Sequence, residues 1–168
     1  QDGIYAFSAE TGDTLWKKLS SAPRTLVAGS DRVSYLQGES RKGEKTEAVT
    51  VDLYSGEVLW QNSDFPWLNK VKRSVLYGDQ LTYEVSSFNN SDTDNGIHIV
   101  DAKNGKLSWE KTYAPGMNHN RQARPLFIGD DLWIQQGGKL DYDDEKKAKF
   151  NPVEVVSLNR ETGEANKS

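Results

Sequence analysis

The stretch SAETGDTLWKK, residues 8–18, contains the spacing that decides the fold. Ser8 stands four places before Gly12, and Trp16 stands four places after it. A polar residue followed by glycine predicts a tight turn, because Asp, Asn or Ser accepts local N–H bonds and glycine accepts a positive φ. The same spacing recurs in LYSGEVLWQ at 53–61 and in AKNGKLSWEK at 102–111.

The repeat has four copies, and short apolar runs flank each turn. Strands joined by a short glycine turn predict a β-hairpin. The fourth copy departs from the rule, since Lys167 stands where the other copies have tryptophan. The shared positions are Gly12, Gly56, Gly105 and Gly163, followed by Trp16, Trp60 and Trp109.

A second motif lies between these hairpins, with an arginine, four residues and a glycine, then an aspartate and an apolar strand. It predicts another hairpin that alternates with the first. One unit then has four short strands and recurs roughly every 45–60 residues, which is typical of a β-propeller blade. A β-sandwich with chance recurrence of hairpins is the weaker alternative. The motif occupies Arg24–Gly29, Arg73–Gly78 and Arg124–Gly129.

The turn-and-tryptophan phrase resembles the PQQ-like propeller repeat, which occurs in quinoprotein dehydrogenases and in the outer-membrane assembly lipoprotein. The resemblance covers essentially the whole chain. It implies an all-β propeller of antiparallel four-stranded blades in which Trp16, Trp60 and Trp109 pack between neighbouring blades. It says little about activity, because the repeated residues are structural in that family.

The blades do not add up to a closed ring. Residues 1–168 are expected to form part of one propeller domain: a half blade at 3–18, blades at 24–61 and 73–111, and a blade at 124–168 with a degenerate or truncated last strand. That makes about three and a half blades, whereas closed propellers have about four to eight. The chain is therefore expected to belong to a larger propeller, and its other blades are the first expected partners. A closed four-bladed form is the weaker alternative, because the resemblance implies seven or eight blades.

Composition excludes several function classes. The net charge is -4 and the cationic side chains are scattered, which disfavours a nucleic-acid surface. The absence of cysteine excludes thiol chemistry in this stretch. No apolar run is long enough to span a membrane. Seventeen Trp, Tyr and Phe residues argue against disorder.

The loop NNSDTDNG at 89–96 is a candidate calcium site. Oxygen ligands at alternate positions of a turning loop suit Ca²⁺, and Asp101 falls where a last ligand would stand. The glycine is one place late for an EF-type loop, and Asp101 already matches a repeat position, so a solvated hairpin loop is favoured. The candidate ligands are Asn90, Asp92 and Asp94.

Two further places offer candidate binding residues. The linker 111–125 carries Asn118, His119 and Arg121, and loops on a rigid scaffold often bind ligands. No titratable partner for His119 is evident from spacing, which favours a loop-stabilising role. Trp67 lies outside the repeat; it is a candidate for a sugar- or partner-binding face, with capping of a blade as the commoner alternative.

Other residues are given structural interpretations. His98 occupies a strand position held by Tyr5 and Val49 in other copies, which favours a packed histidine. The equivalent arginines of the second motif favour a contact with a loop carbonyl or acid. The charged insertion 139–152 is expected to be a solvated excursion.

Two functions are consistent with these observations. The first is a non-enzymatic scaffold that binds a protein or polysaccharide. The second, which the resemblance implies, is a segment of a quinoprotein oxidoreductase with PQQ and calcium in the complete protein; this segment shows no catalytic constellation, and no cofactor ligands can be assigned to its residues. The resemblance also implies a periplasmic or secreted location.

Overall fold

The computed structural model describes residues 3–38, 43–86, 96–112, 125–137, 140–142, 148–150 and 153–166. Strands joined by tight turns dominate this part of the chain, and its helical structure is a single 3₁₀ turn at Leu68–Lys70. The strands are β1 Gly3–Phe7, β2 Thr14–Leu19, β3 Arg24–Ala28, β4 Arg32–Gln37, β5 Glu47–Asp52, β6 Val58–Asn62, β7 Val71–Tyr77, β8 Gln80–Val85, β9 Gly96–Asp101, β10 Leu107–Thr112, β11 Leu126–Ile128, β12 Asp131–Gly137, β13 Leu140–Tyr142, β14 Ala148–Phe150 and β15 Val153–Asn159.

The strands form antiparallel sheets in chain order. β1 pairs with β2; β3 to β6 and β7 to β10 each form a four-stranded meander; β11, β12 and β15 form a three-stranded sheet. A bridge between Leu158 and Ala165 adds the start of a fourth strand to that last sheet. The prediction of an all-β propeller made of antiparallel blades is confirmed, although the exact blade limits stay a prediction.

Among the described residues, three apolar clusters lie between consecutive sheets, so these sheets stack face to face. Ile4 of β1 packs on the β3–β6 sheet beside Tyr35 and Val49. Leu36 and other residues of that sheet pack on the β7–β10 sheet. Ile97 and its neighbours pack on the β11–β12–β15 sheet. Strands buried on both faces explain why β4, β8 and β9 are apolar or uncharged almost throughout.

The antiparallel order divides the connections between two ends of the stack. One end, here called the turn end, carries the tight turns from β1 to β2, β3 to β4, β5 to β6 and their equivalents. The other, the loop end, carries the linkers between sheets and the connections from β4 to β5, β8 to β9 and β12 to β15. Strands β3 and β7, the first of their sheets, lie next to each other.

The charged insertion is described in part, and its prediction as a solvated excursion stays a prediction. It contains a two-stranded hairpin, in which β13 pairs with β14 from Leu140↔Phe150 to Tyr142↔Ala148.

Candidate functional site

Each repeated tryptophan lies on the glycine turn of the next sheet. The indole Nε1–H of Trp16 donates to the Leu53 carbonyl at 2.8 Å, and that of Trp60 donates to the Ala102 carbonyl at 2.7 Å. The Trp109 indole donates to the Arg160 carbonyl at 2.8 Å. In every case the acceptor stands three residues before the turn glycine, so one geometry joins three pairs of sheets.

The turn glycines are required for this contact on two grounds. Gly105 has φ +71°, and a Cβ built there would lie 2.6 Å from Cε3 of Trp60. Gly56 and Gly163 have the same positive φ and equally close rings. A side chain at these positions would be strained by the backbone and would displace the indole.

The polar side chain that begins each turn accepts hydrogen bonds from backbone N–H groups of the same turn. Asp52 Oδ1 accepts N–H bonds from Tyr54 at 2.9 Å and from Ser55 at 2.7 Å. The Ser55 bonds lower the pKa of the Asp52 carboxyl below its ordinary value. Asn159 makes the equivalent contacts with Glu161 and Thr162. These repeated groups form the turns.

A charged network crosses the turn end. Arg32, only 8% exposed, contacts Asp31 through two 2.7 Å hydrogen bonds and lies 3.6 Å from Asp79 of the next sheet. Lys103 pairs with Asp79 at 2.6 Å. The Arg32 contact lowers the pKa of Asp31, and the Asp79 contact raises the pKa of Lys103. The network links two blades through compensated charges.

The repeated arginines make structural contacts where they are described. Arg24 donates to the Gly38 carbonyl at 2.9 Å and to Thr46 Oγ1 at 3.1 Å, so it fastens β3 to the connection after β4. The Nε of Arg73 lies 4.0 Å from Glu84 Oε2. Arg124 lies outside the described residues.

Two clefts lie side by side at the loop end. The first, about 720 Å³, is bordered by the linker between β2 and β3 and by the connection between β4 and β5. Within it Ser20 Oγ donates to Gln37, and Gln37 donates to Glu47, each at 3.0 Å. The cleft is polar and open, which suits a hydrogen-bonding partner.

The second cleft, about 460 Å³, lies on the other side of the same connection. It is lined by the linker between β6 and β7, including Phe65, Pro66 and Asn69. Glu44 and Lys45 border both clefts. Lys45 reaches Asp64 across the second cleft at 3.7 Å, and its side chain is 66% exposed. The two clefts therefore form one grooved surface, the loop-end groove.

Trp67 is placed beneath this surface and not on it. It is 3% exposed and stacks on Phe65, with ring centroids 4.8 Å apart, and on His98, with centroids 4.2 Å apart. A ring covered on these faces offers no surface to a sugar or a partner. The geometry corrects the binding hypothesis for Trp67 in favour of the capping alternative.

His98 is a packed histidine in this arrangement. The residue is buried, lies against Trp67 and has Nδ1 2.9 Å from Glu110 Oε2. The pair joins β9 to β10 directly opposite each other in the sheet. The contact between His98 and Trp67 joins the linker to the third sheet.

The remaining candidate residues fall outside the described part of the chain. These are Asn90, Asp92 and Asp94 of the calcium hypothesis and Asn118, His119 and Arg121 of the linker hypothesis. Among the residues that the structure does describe, no three His, Asp or Glu side chains converge on a metal position. The strands that flank both segments end at the loop end.

Asp101 does not fit the role of a last calcium ligand. It ends β9 at the turn end, whereas β9 begins with Gly96 at the loop end. The length of the six-residue strand puts about 17 Å between Gly96 and Asp101. In addition, Asp101 accepts hydrogen bonds from the Lys103 N–H and from Asn104, both at 2.7 Å.

Sequence reasoning did not identify the loop-end groove. Glu44, Lys45 and Phe65 belong to no repeat, and only the fold brings them together. The aromatic–proline–aromatic run Phe65-Pro66-Trp67 was the one available signal. In the described chain no helix is long and apolar enough to cross a membrane.

Comparison with known proteins agrees with this architecture. The sequence model of the family described as outer membrane protein assembly factor BamB matches residues 1–167. The chain belongs to this family. The resemblance to the PQQ-like propeller repeat is confirmed. No relative was found among curated proteins.

Solved structures share the fold. BamB from Moraxella catarrhalis aligns with a TM-score of 0.55 and 17% identity, over 97% of this chain and 56% of that one. The quinohemoprotein alcohol dehydrogenase ADHIIG from Pseudomonas putida HK5 aligns with a TM-score of 0.65 and 13% identity, over 98% and 31%. That from Comamonas testosteroni gives 0.52 and 15%, over 87% and 20%. The chain thus spans little more than half of BamB and less of the dehydrogenases.

Proposed function

We propose that this family member is part of a non-enzymatic propeller scaffold that binds a protein partner through the loop-end groove. The observation that carries the proposal is the match to the family of an outer-membrane protein assembly factor along residues 1–167. An assembly factor acts by holding other proteins, and a propeller provides a rigid support for the loops that do so. An extracytoplasmic location is part of this proposal.

The division of residues between the two ends supports the same function. At the turn end, the repeated tryptophans, glycines and aspartates are engaged in joining blades. At the loop end, the first cleft is polar, the second is lined in part by Phe65, Pro66 and Leu68, and both lie outside the repeated residues that join the blades. Residues outside the repeat are where partner contacts can vary.

A quinoprotein oxidoreductase segment is the second candidate. It is favoured by the TM-score of 0.65 with the Pseudomonas dehydrogenase, a likeness that concerns the fold. PQQ and calcium would supply the oxidation chemistry in such a protein. The described residues offer no carboxylate cluster to which calcium can be assigned, so no step is derived from them.

The test uses the full protein and a labelled, unfolded outer-membrane β-barrel protein as probe. Lys45→Glu reverses an exposed charge in both clefts and is expected to weaken binding about fivefold, which corresponds to about 1 kcal/mol. Lys106→Glu makes the same charge change at the exposed turn end and serves as the matched control. The dissociation constant is measured by fluorescence anisotropy.

Three results contradict the proposal. Equal binding by the Lys45→Glu and Lys106→Glu variants contradicts the loop-end groove as the binding surface, and no binding by the unmodified protein contradicts the scaffold. The third result is alcohol oxidation with an artificial dye after reconstitution with PQQ and calcium, together with a bound quinone absorption band, which instead supports the oxidoreductase.

A further inference from the structure

Among the glycine turns of the repeat, the third alone has an asparagine directly before its glycine. Asn104 precedes Gly105, whereas Thr11, Ser55 and Thr162 stand at this place in the other turns. Asparagine is a thermally labile residue, and a following glycine leaves its own backbone nitrogen unhindered for attack on the side-chain amide. A hydroxyl side chain contains no amide to attack. The third turn therefore differs from the others in its chemistry.

The reaction at such a step is deamidation. The Gly105 nitrogen attacks Cγ of Asn104, the side-chain nitrogen leaves as ammonia, and a cyclic succinimide closes. Water then opens the ring at either carbonyl, which gives aspartate or isoaspartate without any change of oxidation state. In the isoaspartate product the main chain runs through the former side chain, so the turn gains a main-chain carbon.

In the folded turn the reacting groups are all engaged in hydrogen bonds. The Gly105 N–H donates to the Asp101 carbonyl at 2.8 Å. Nδ2 of Asn104 donates to Asp101 Oδ2 at 2.7 Å, and its Oδ1 accepts from the Lys106 N–H at 2.9 Å. Gly105 is also buried, because the Trp60 ring lies on it. Attack on Cγ requires the asparagine side chain to leave both partners and the glycine nitrogen to leave its acceptor.

We propose that Asn104 is a deamidation site that is protected while the Trp60 blade junction is closed and reacts when that junction opens. Trp60 covers Gly105 and donates its indole N–H to the Ala102 carbonyl of the same turn at 2.7 Å. Loss of these contacts frees the turn, so local opening sets the rate of the reaction. Isoaspartate lengthens the turn and prevents it from receiving the ring again, which makes the opening permanent. The proposal does not depend on the scaffold function.

Ageing of the full protein at mildly alkaline pH tests the protection. Deamidation is measured by peptide mass spectrometry, with fragmentation that separates Asn104 from Asn95, which also precedes a glycine. The folded protein is expected to react at Asn104 at least about tenfold more slowly than the same protein unfolded in guanidinium chloride. Equal rates overturn the proposal.

A pair of tryptophan variants tests the coupling to the blade junction. Trp60→Ala uncovers the turn and is expected to raise the Asn104 rate in the folded protein at least about threefold. Trp16→Ala removes the same ring from the preceding junction, where it lies on Gly56, and is the matched control with an unchanged rate. The proposal is wrong if the two variants react at the same rate.

Asp101→Ser gives the decision if Trp60→Ala does not fold. Ser8 holds the equivalent position in the first turn and accepts the Thr11 N–H at 3.2 Å, so serine is compatible with this turn. The variant removes the carboxylate oxygen that accepts from Asn104 and is expected to raise the rate at least about threefold. An unchanged rate in the folded variant contradicts protection by the turn, and with it the proposal.

The damage to the junction is measured on the isoaspartate form, separated chromatographically from aged protein. Asn104→Asp carries the same new charge on a main chain of ordinary length and is its control. The isoaspartate form is expected to have a Tm at least about 2 °C below that of Asn104→Asp. Equal Tm values contradict a permanent opening of the junction.

Discussion

The Trp60–Gly105 contact allows the energy of one blade junction to be predicted. A Cβ at Gly105 would lie 2.6 Å from Cε3 and 2.8 Å from Cδ2 of the indole. Alanine at φ +71° costs about 1–2 kcal/mol in left-handed backbone strain. Displacing the ring costs about a further 1–3 kcal/mol through overpacking. Gly105→Ala is therefore expected to lower the free energy of unfolding by about 2–5 kcal/mol.

Gly78→Ala is the matched control. Gly78 has φ +56° and open space at the Cβ position, so its substitution carries the backbone strain alone, about 1–2 kcal/mol. Trp60→Ala removes a ring that is 9% exposed and its hydrogen bond to Ala102, and should cost about 3–5 kcal/mol.

The double variant separates this mechanism from simple loss of packing. Once Trp60 is alanine, a Cβ at Gly105 no longer meets the ring, so the two effects should fall short of additivity by about 1–3 kcal/mol. Urea unfolding of the two single variants, the double variant and the control measures this coupling. The reasoning is refuted if Gly105→Ala costs no more than Gly78→Ala, or if the effects add within about 0.5 kcal/mol.

Three further predictions follow from the same structure. Trp67→Ala should lower stability by about 3–5 kcal/mol in urea unfolding and leave probe binding in the folded state unchanged, because the ring is buried; weaker binding by a fully folded variant would restore the binding hypothesis. Trp109→Phe keeps a ring but removes one of two donors to the Arg160 carbonyl, which still accepts from Gln80, so a loss of about 0.5–1.5 kcal/mol is expected, and no loss would contradict the hydrogen bond. Asp52 has a lowered pKa, so its stabilisation is present above the ordinary value of 3.8 and is lost as pH falls through the folded pKa. Asp52→Asn, which Asn159 shows can form this turn, should therefore reduce the drop in Tm between about pH 6 and about pH 2.5.

The sequence predicts the turns because their chemistry is local. Gly12, Gly56, Gly105 and Gly163 all have a positive φ, and the polar residue before each turn accepts nearby N–H bonds. The fixed spacing of tryptophan after glycine also places the ring on the outer strand. Each of these requirements lies within nine residues, so a single copy of the motif contains all the residues that predict the turn and the position of the tryptophan.

The contacts between blades are harder to predict from the sequence, for a physical reason. The acceptors of the indole N–H groups are backbone carbonyls, which any residue provides, so Leu53, Ala102 and Arg160 carry no common side-chain signature. The stack of Trp67 on His98 joins residues of two different elements through the fold. Lys45 and Asp64 meet in the same way, across two non-repeated segments. Such groups are identified only when the topology is known.

The contrast between repeated and non-repeated residues indicates where in the fold a binding function can lie. Repeated residues have the same structural role in every blade. At Trp16, Asp52 and Gly105 that role is to join blades or to form turns. Asp101 shows the consequence: a carboxylate that could be counted as a metal ligand by spacing is held in a turn at the far end of its strand. A binding function has to use residues outside the repeat, and the described connections that contain Lys45 and Phe65 lie at the loop end. The groove around Lys45 is the described part of that surface.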